Sequence, residues 1–335
     1  MPPSRSNAAD TGWLAAAAAL ASRGRPLSRP NPAVGAVIVK DGVVIGRGWT
    51  QAGGRPHAEA VALAQAGEAA KGAALYVTLE PCAHASQRGP SCTSLVLSSG
   101  LARVVIGCED PDPRTAGSGI AALRAAGIAV DVLPSSEAPS LEAKASLAGY
   151  LLRCRESRPH TTLKLATSLD GRIALPDGTS RWITGPDARA HGHLERARAD
   201  AILVGGATLR TDAPRLDVRL PGLEPRSPQR FVLTRKSAPP GWTAIADISA
   251  PGAFGEAQYL LVEGGAGAAA AFLAADRVDR LLLYRAPIVI GEGRPCVADI
   301  GLTNLEAAHG RWTLTDRRRL GSDTLDVYER TAKET

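Results

Sequence analysis

Short strand-like runs alternate with alanine- and leucine-rich helical stretches through the first half of the chain. After a helix over about 10–23, NPAVGAVIVKDGVVIGRGW (31–49) holds two β-rich runs that turn at Asp41-Gly42, a strong hairpin signal. Pro56 can open a helix, and the stretch from His57 to Ala70 continues it. ALYVTLE (74–80), RVVIGC (103–108) and IAVDVL (128–133) read as strands. A short helix over TSLVLSSG (93–100) and another around Ile120–Ala126 separate them. Such interleaving predicts an α/β sheet covered by helices.

The pattern loosens after that. Residues 135–150 read as a polar helix, and RCRESRPH (153–160) has the charge and proline of a linker. A second series opens with TTLKLATSLDGRIA (161–174) and continues through the helix PDARAHGHLERARA (186–199) and the strand DAILVGG (200–206). A proline-rich connection, QRFVLTR (229–235), AQYLLVEGG (257–265), an alanine helix and RLLLYRAPIVIG (280–291) complete it. Two α/β domains with a boundary near residue 155 suit a chain of 335 residues, longer than one core usually serves. No repeat of 20–50 residues is visible, so a solenoid is excluded.

Composition narrows the function classes. The chain is 44% apolar and 21% charged, an ordinary globular balance, and no apolar run reaches the roughly 18 residues of a membrane span. Trp13–Ala21 is flanked by Asp10, Arg23 and Arg25, which favours an ordinary first helix over a signal-peptide core; the expected location is the cytoplasm. Net charge is +6, but it is spread as +2 over residues 1–150 and +4 over the rest. With only 13 aromatic residues there are few stacking platforms, so no nucleic-acid partner is expected. The arginines could still serve a phosphorylated small molecule. The five cysteines form no disulfide framework; Cys108, Cys154 and Cys296 read as structural.

The chemistry concentrates in RPHAEAVAL (55–63) and LEPCAHASQRGPSC (79–92). A catalytic zinc takes three protein ligands and leaves a fourth position to water; His57, Cys82 and Cys92 supply such a set. Glu59, offset by two residues from His57, projects to another side and can move a proton of that water. Cys92 stands at a predicted helix start, which favours its thiolate. Zinc deaminases carry H-x-E followed by P-C-x-x-C, with the Glu as acid/base. Here nine residues, not two, separate the cysteines. Taken singly, each of these residues reads more simply as a helix-start histidine or a reduced loop cysteine; together, they favour zinc. His84 rivals Cys92 as a ligand; the thiolate is preferred because it needs no particular tautomer.

In the second half, VEGGAGAAAA (262–271) follows a strand and opens a helix, so its amides could meet a pyrophosphate. It lacks a clean G-x-G-x-x-G, and a Rossmann domain is not expected. Arg196, Arg198, Arg215 and Arg219 read by themselves as solvated surface, and Trp182 as core.

NPAVGAVIVKDGVVIGRGW, HAEAVAL, YVTLEPCAH and EDPDP…AGSGIAALRAAGI resemble the deaminase half of the bifunctional riboflavin-biosynthesis deaminase/reductase family. LKLATSLDGRIA, SRWITG, ADAILVGGATLRTDAPRLDVR and LLVEGGAGAAAAFL resemble its reductase half. The resemblance runs from about residue 10 to 330 in the family's domain order. It implies a cytidine-deaminase-like zinc domain over 1–154 and a dihydrofolate-reductase-like domain over 155–335. The first would deaminate 2,5-diamino-6-ribosylamino-4(3H)-pyrimidinone 5′-phosphate, zinc lowering the pKa of the attacking water. The second would reduce the ribose to ribityl with NADPH, giving 5-amino-6-(5-phosphoribitylamino)uracil.

By position, the family's zinc ligands fall on His57, Cys82 and Cys92, and its proton shuttle on Glu59. Asn31 and His84 fall where its loops face the pyrimidine. Its cofactor contacts fall on Thr167, Trp182, Thr208, Asp212 and the Gly265-Ala266-Gly267 loop. Its substrate contacts fall on Ser180, Arg196, Leu216, Arg219 and Glu263, with Arg196 and Arg219 raised to phosphate ligands by the guanidinium fork. Two departures stand out. The family's PCSHHGRTPPC is here PCAHASQRGPSC, one residue longer and without the second His, and Ala36 replaces a Cys. The alternatives are a nucleic-acid base deaminase with an accessory binding domain, which the charge distribution disfavours, and a degenerate binding module, which would be expected to have lost Glu59 or a ligand. Oligomeric state is left open, a homo-oligomer included.

Overall fold

In the computed structural model, residues 8–84, 87–134 and 136–331 are described. The chain divides into two units, Met1–Ser157 and Arg158–Thr335. The first contains α1 (Ala8–Ala21), β1 (Gly35–Lys40), β2 (Val43–Trp49), α2 (Ala58–Ala66), β3 (Ala74–Val77) and α3 (Cys92–Ser98). β4 (Arg103–Ile106), α4 (Ser118–Ala125), β5 (Ala129–Val132), α5 (Ala138–Ser146) and α6 (Ala148–Glu156) follow. The strands form one sheet in the order β2-β1-β3-β4-β5; β1 runs antiparallel to both neighbours, and β3, β4 and β5 are parallel.

Strand alternation sorts side chains between two cores, because successive residues point to opposite faces. Ile38, Leu75, Val77, Val104 and Ile106 join Ala58 and Ala62 of α2, Val96 of α3 and Leu123 of α4. Val37, Val39, Tyr76 and Val105 join Leu14 and Ala17 of α1 and Ala143 of α5 on the other face. Two glycines of β2 let α2 lie directly on the sheet: a Cβ on Gly46 would meet Ala62 O at 2.3 Å, and one on Gly48 would meet Ala58 O at 2.2 Å. This close approach sets the height of the helix that begins beside His57.

The second unit contains β6 (His160–Thr167), β7 (Arg172–Ala174), α7 (Pro186–Ala197), β8 (Ala201–Gly205), α8 (Gly206–Asp212), β9 (Gln229–Leu233) and β10 (Thr243–Ile245). β11 (Tyr259–Glu263), α9 (Ala266–Ala274), β12 (Arg280–Arg285), β13 (Arg294–Pro295), β14 (Trp312–Leu320) and β15 (Asp323–Arg330) complete it. Eight strands form a sheet in the order β10-β9-β8-β11-β6-β12-β15-β14; the first six are parallel, and the β15-β14 hairpin closes one edge antiparallel. β7 and β13 pair separately.

Three expectations are corrected here. The linker read over RCRESRPH is mostly structured: Arg153–Glu156 end α6, whose Tyr150 and Leu151 are buried, and His160 starts β6. The proline-rich connection after β8 hides α8, which has no buried residue and so carries no apolar stripe to read. PIVIG does not extend β12; the carboxylate of Asp170 accepts the amides of Ile290 and Gly291 and holds the segment as a loop.

Candidate active sites

In the first unit, His57 immediately precedes α2 with extended backbone angles, and Glu59 lies in the first turn, 3% exposed. Cys82 follows β3, and Cys92 opens α3 behind Ser91, whose hydroxyl accepts the Ser94 amide at 3.1 Å. These elements bring His57 Nδ1 to 3.3 Å from Cys92 Sγ and 3.6 Å from Cys82 Sγ. Ligands around a tetrahedral zinc, with Zn–N near 2.0 Å and Zn–S near 2.3 Å, are separated by about 3.5 Å for N to S. Both N–S distances are those of zinc ligands, and the three atoms lie within 4.8 Å of one another.

Protons are shared within this cluster. The Cys92 amide, at the start of α3, donates to Cys82 Sγ at 3.3 Å. The helix terminus therefore favours the thiolate of Cys82, whereas from sequence it is expected to favour that of Cys92. A hydrogen bond from Cys92 is the main cause that lowers the Cys82 pKa to about 4, while the same bond and burial raise that of Cys92. Burial would lower the His57 pKa, but the Cys82 hydrogen bond and the Glu59 charge outweigh it and raise it. Burial raises the Glu59 carboxyl, and its Oε2 is buried with no hydrogen-bond partner among the described residues. A buried carboxylate oxygen left open beside three zinc-type ligands fits a metal with a water on its free position.

The cavity over this cluster has a volume of 230 Å³. Asn31 lines it from behind the ligand: its Nδ2 donates to Gly54 O at 2.9 Å and lies 3.0 Å from His57 Nε2. His84 also lines the cavity but stands outside the ligand cluster, with Nδ1 3.3 Å from Thr115 Oγ1. Arg88, Asp110 and Tyr150 line it too and were not singled out from sequence. The polar residues of EDPDP were the available signal for Asp110; the segment 135–150, read as a polar helix, gave none for Tyr150.

The second unit has a cavity of 760 Å³ at the carboxyl ends of β6 and β11, where ligands of open α/β sheets bind. Ser180, Trp182, Arg196, Thr208, Asp212, Arg219, Glu263 and Gly265-Ala266-Gly267 all line it. Gly264 and Gly265 have φ of 104° and 77°, and a Cβ on Gly265 would meet Thr208 Oγ1 at 2.7 Å; only glycine lets α8 and α9 come this close. Thr167 and Leu216 do not line the cavity. Thr167 falls on the buried side of β6 with Leu163 and Leu165, and Leu216 packs with Ile202, Val204 and Leu261.

Arg196 is already engaged by its neighbours. Its Nε and Nη2 donate to both oxygens of Glu263 at 2.7 and 2.8 Å, and Nη1 donates to Asp217 O at 3.0 Å. The side-on edge of the fork thus serves Glu263. Arg219, with a side chain 55% exposed and only a 3.5 Å pair with Asp217, is the freer guanidinium. Burial would raise the Glu263 pKa, but Arg196 overrides it and holds the carboxyl below its ordinary value. Lys164, missed in the sequence, lines the same cavity, with Nζ 5.6 Å from the centre of the Tyr284 ring. Burial lowers its pKa against the opposing charge of Glu263. A lysine between two leucines of a central strand was the overlooked signal.

The model of the cytidine and deoxycytidylate deaminase zinc-binding region matches residues 8–108. That of the RibD C-terminal domain matches 159–251 and 253–325. Riboflavin biosynthesis protein RibD of Aquifex aeolicus is 36% identical over 96% of this chain and 98% of its own length. The Mycobacterium tuberculosis protein of that name is 38% identical over 88% and 90%. Among solved structures, Acinetobacter baumannii RibD superposes with a TM-score of 0.84 at 32% identity, covering 97% of this chain and 99% of that one. A diaminohydroxyphosphoribosylaminopyrimidine deaminase/5-amino-6-(5-phosphoribosylamino)uracil reductase from Thermotoga maritima gives 0.84 at 30%, covering 96% and 99%. The first unit is thus cytidine-deaminase-like and the second dihydrofolate-reductase-like. With matches spanning both units at these identities, the chain belongs to the RibD family of riboflavin biosynthesis proteins, a deaminase followed by a reductase.

Proposed function

We propose that the first domain hydrolyses the 2-amino group of 2,5-diamino-6-ribosylamino-4(3H)-pyrimidinone 5′-phosphate, and that the second reduces the ribosyl group of the product with NADPH. The observation that carries the first step is the convergence of His57, Cys82 and Cys92 beside the unpartnered Oε2 of Glu59. Those three residues would hold a zinc ion, which when bound supplies a Lewis acid that makes water nucleophilic near neutral pH. Glu59, its pKa raised by burial, takes the proton released as water adds to the amidine-like carbon and returns it to the departing amine. Ammonia leaves and a carbonyl remains.

For the second step, NADPH supplies the hydride. Lys164 is an ammonium made more acidic by burial, placed in the same cavity as Glu263 and Arg219. It protonates the ring oxygen as the ribose C1′–O4′ bond opens, and hydride addition at C1′ completes the ribityl chain. Arg219 meets the phosphate. The preference for NADPH over NADH rests on a separate 450 Å³ pocket flanking α8, lined by Arg210, Arg215, Arg230 and Lys236. Four cations beside the helix that carries Thr208 and Asp212 suit a 2′-phosphate. Thiol ligands for a metal also suit a reducing compartment, and we place the protein in the cytoplasm. Among the described residues no helix is long and apolar enough to cross a membrane.

Purified protein given the diaminopyrimidine phosphate alone should release ammonia and yield the deaminated ribosylamino-uracil phosphate by mass. Adding NADPH should convert that product to the ribityl compound. Deamination of a single-stranded oligonucleotide, with the pyrimidine phosphate left intact, would overturn the proposal.

A further inference from the structure

The helix that ends the first domain reaches into the deaminase cavity. Tyr150 of α6 is 9% exposed and packs among Leu147, Leu151 and the sheet, yet its side chain lines the same cavity as His57 and Glu59. Its hydroxyl donates to Asp110 Oδ1 at 2.7 Å, and the Asp112 amide donates to the same oxygen at 3.0 Å. The Asp110 backbone is held from the other side. Its amide donates to Glu80 Oε2 at 3.3 Å, and Glu80 also takes the amides of Gly117, Gly119 and Ile120. Asp110 is 7% exposed and lines the cavity. Among the described residues, the hydrogen bonds to its carboxylate from the Tyr150 hydroxyl and the Asp112 amide both fall on Oδ1, which leaves Oδ2 as the acceptor for a molecule in the cavity.

A diaminopyrimidinone presents amino and ring N–H donors, and a carboxylate oxygen held in a fixed direction at the cavity wall is the complement such donors need. We propose that Tyr150 is a positioning residue of the deaminase: by engaging Asp110 Oδ1 it aims Oδ2 at a substrate N–H and so contributes to selection of the diaminopyrimidine. This rests on the deaminase reading above. Tyr150 touches no reacting atom. It acts on binding, through Asp110.

The test uses the full-length protein with Tyr150→Phe, which keeps the ring in its core contacts and removes one oxygen. Zinc content and melting temperature should match the unaltered protein. KM for the diaminopyrimidine phosphate should rise on the order of tenfold, the scale of one hydrogen bond to a charged group, with kcat within about twofold. Asp110→Asn should also raise KM, and the double variant should be no worse than Asp110→Asn alone, because both changes break one arrangement. An unchanged KM in Tyr150→Phe overturns the proposal, whether or not the protein melts earlier. So do losses that add in the double variant, or a drop in zinc that accounts for the effect. If the unaltered protein releases no ammonia at all, the deaminase reading fails, and this inference with it.

Discussion

Arg196→Met separates the structural part of the reductase site from its chemistry. Arg196 grips both oxygens of Glu263 in a bidentate pair whose side chains are 14% and 10% exposed. Removing one partner of a buried pair costs about 3–5 kcal/mol, because the other charge stays buried and unpaired. Lys164 also acts on Glu263, so the lower end, about 3 kcal/mol, is expected. In a domain spanning Arg158–Thr335 that is a fall in Tm of about 6–12 °C. The loss must depend on pH. The folded Glu263 pKa lies below its ordinary value, so its stabilisation is complete above about pH 4.3 and disappears as pH falls through the folded pKa. Without Arg196, burial loses its main opponent and the folded pKa moves above the ordinary value. The variant then binds a proton on folding, and its deficit relative to the unaltered protein shrinks toward pH 5 and widens toward pH 8. Calorimetry of the full-length protein at both pH values measures this directly. A Tm deficit of equal size at pH 5 and pH 8 would refute the argument, and so would no deficit at pH 8.

The remaining predictions concern the two sites. Cys92→Ser should lose most of about one zinc per chain, while His84→Ala keeps it; the reverse in elemental analysis would move the third ligand to His84. Glu59→Gln should keep zinc and slow deamination by about 10²–10⁴, since an amide cannot accept the proton from water; near-normal ammonia release would remove it as the shuttle. The same Glu59→Gln protein should still oxidise NADPH when given the deaminated ribosylamino-uracil phosphate, whereas Lys164→Met should lose that oxidation and still release ammonia. Failure of a well-folded Glu59→Gln protein to reduce the supplied intermediate would mean that the two sites are not chemically independent.

Much of this protein is legible in the order of its residues. The hairpin at Asp41-Gly42, the alanine helices and the apolar strands follow from local periodicity and turn chemistry, which need no distant partner. His57, Glu59, Cys82 and Cys92 announce a metal site because few other chemistries need those residue types in that order. Elements without an apolar pattern were not legible. α8 buries no side chain, and β14 is an arginine-rich edge strand that exists because β15 pairs with it. Only tertiary structure decided which cysteine sulfur faces the helix terminus: the amide of Cys92, which opens α3, donates to Cys82. It alone turned Arg196 toward Glu263 and brought Tyr150, Asp110 and Lys164 to the cavities. The physical reason is the same in each case. A side chain's partner across long stretches of chain is chosen by which strands are neighbours and which face each residue occupies, and neither is written in local sequence.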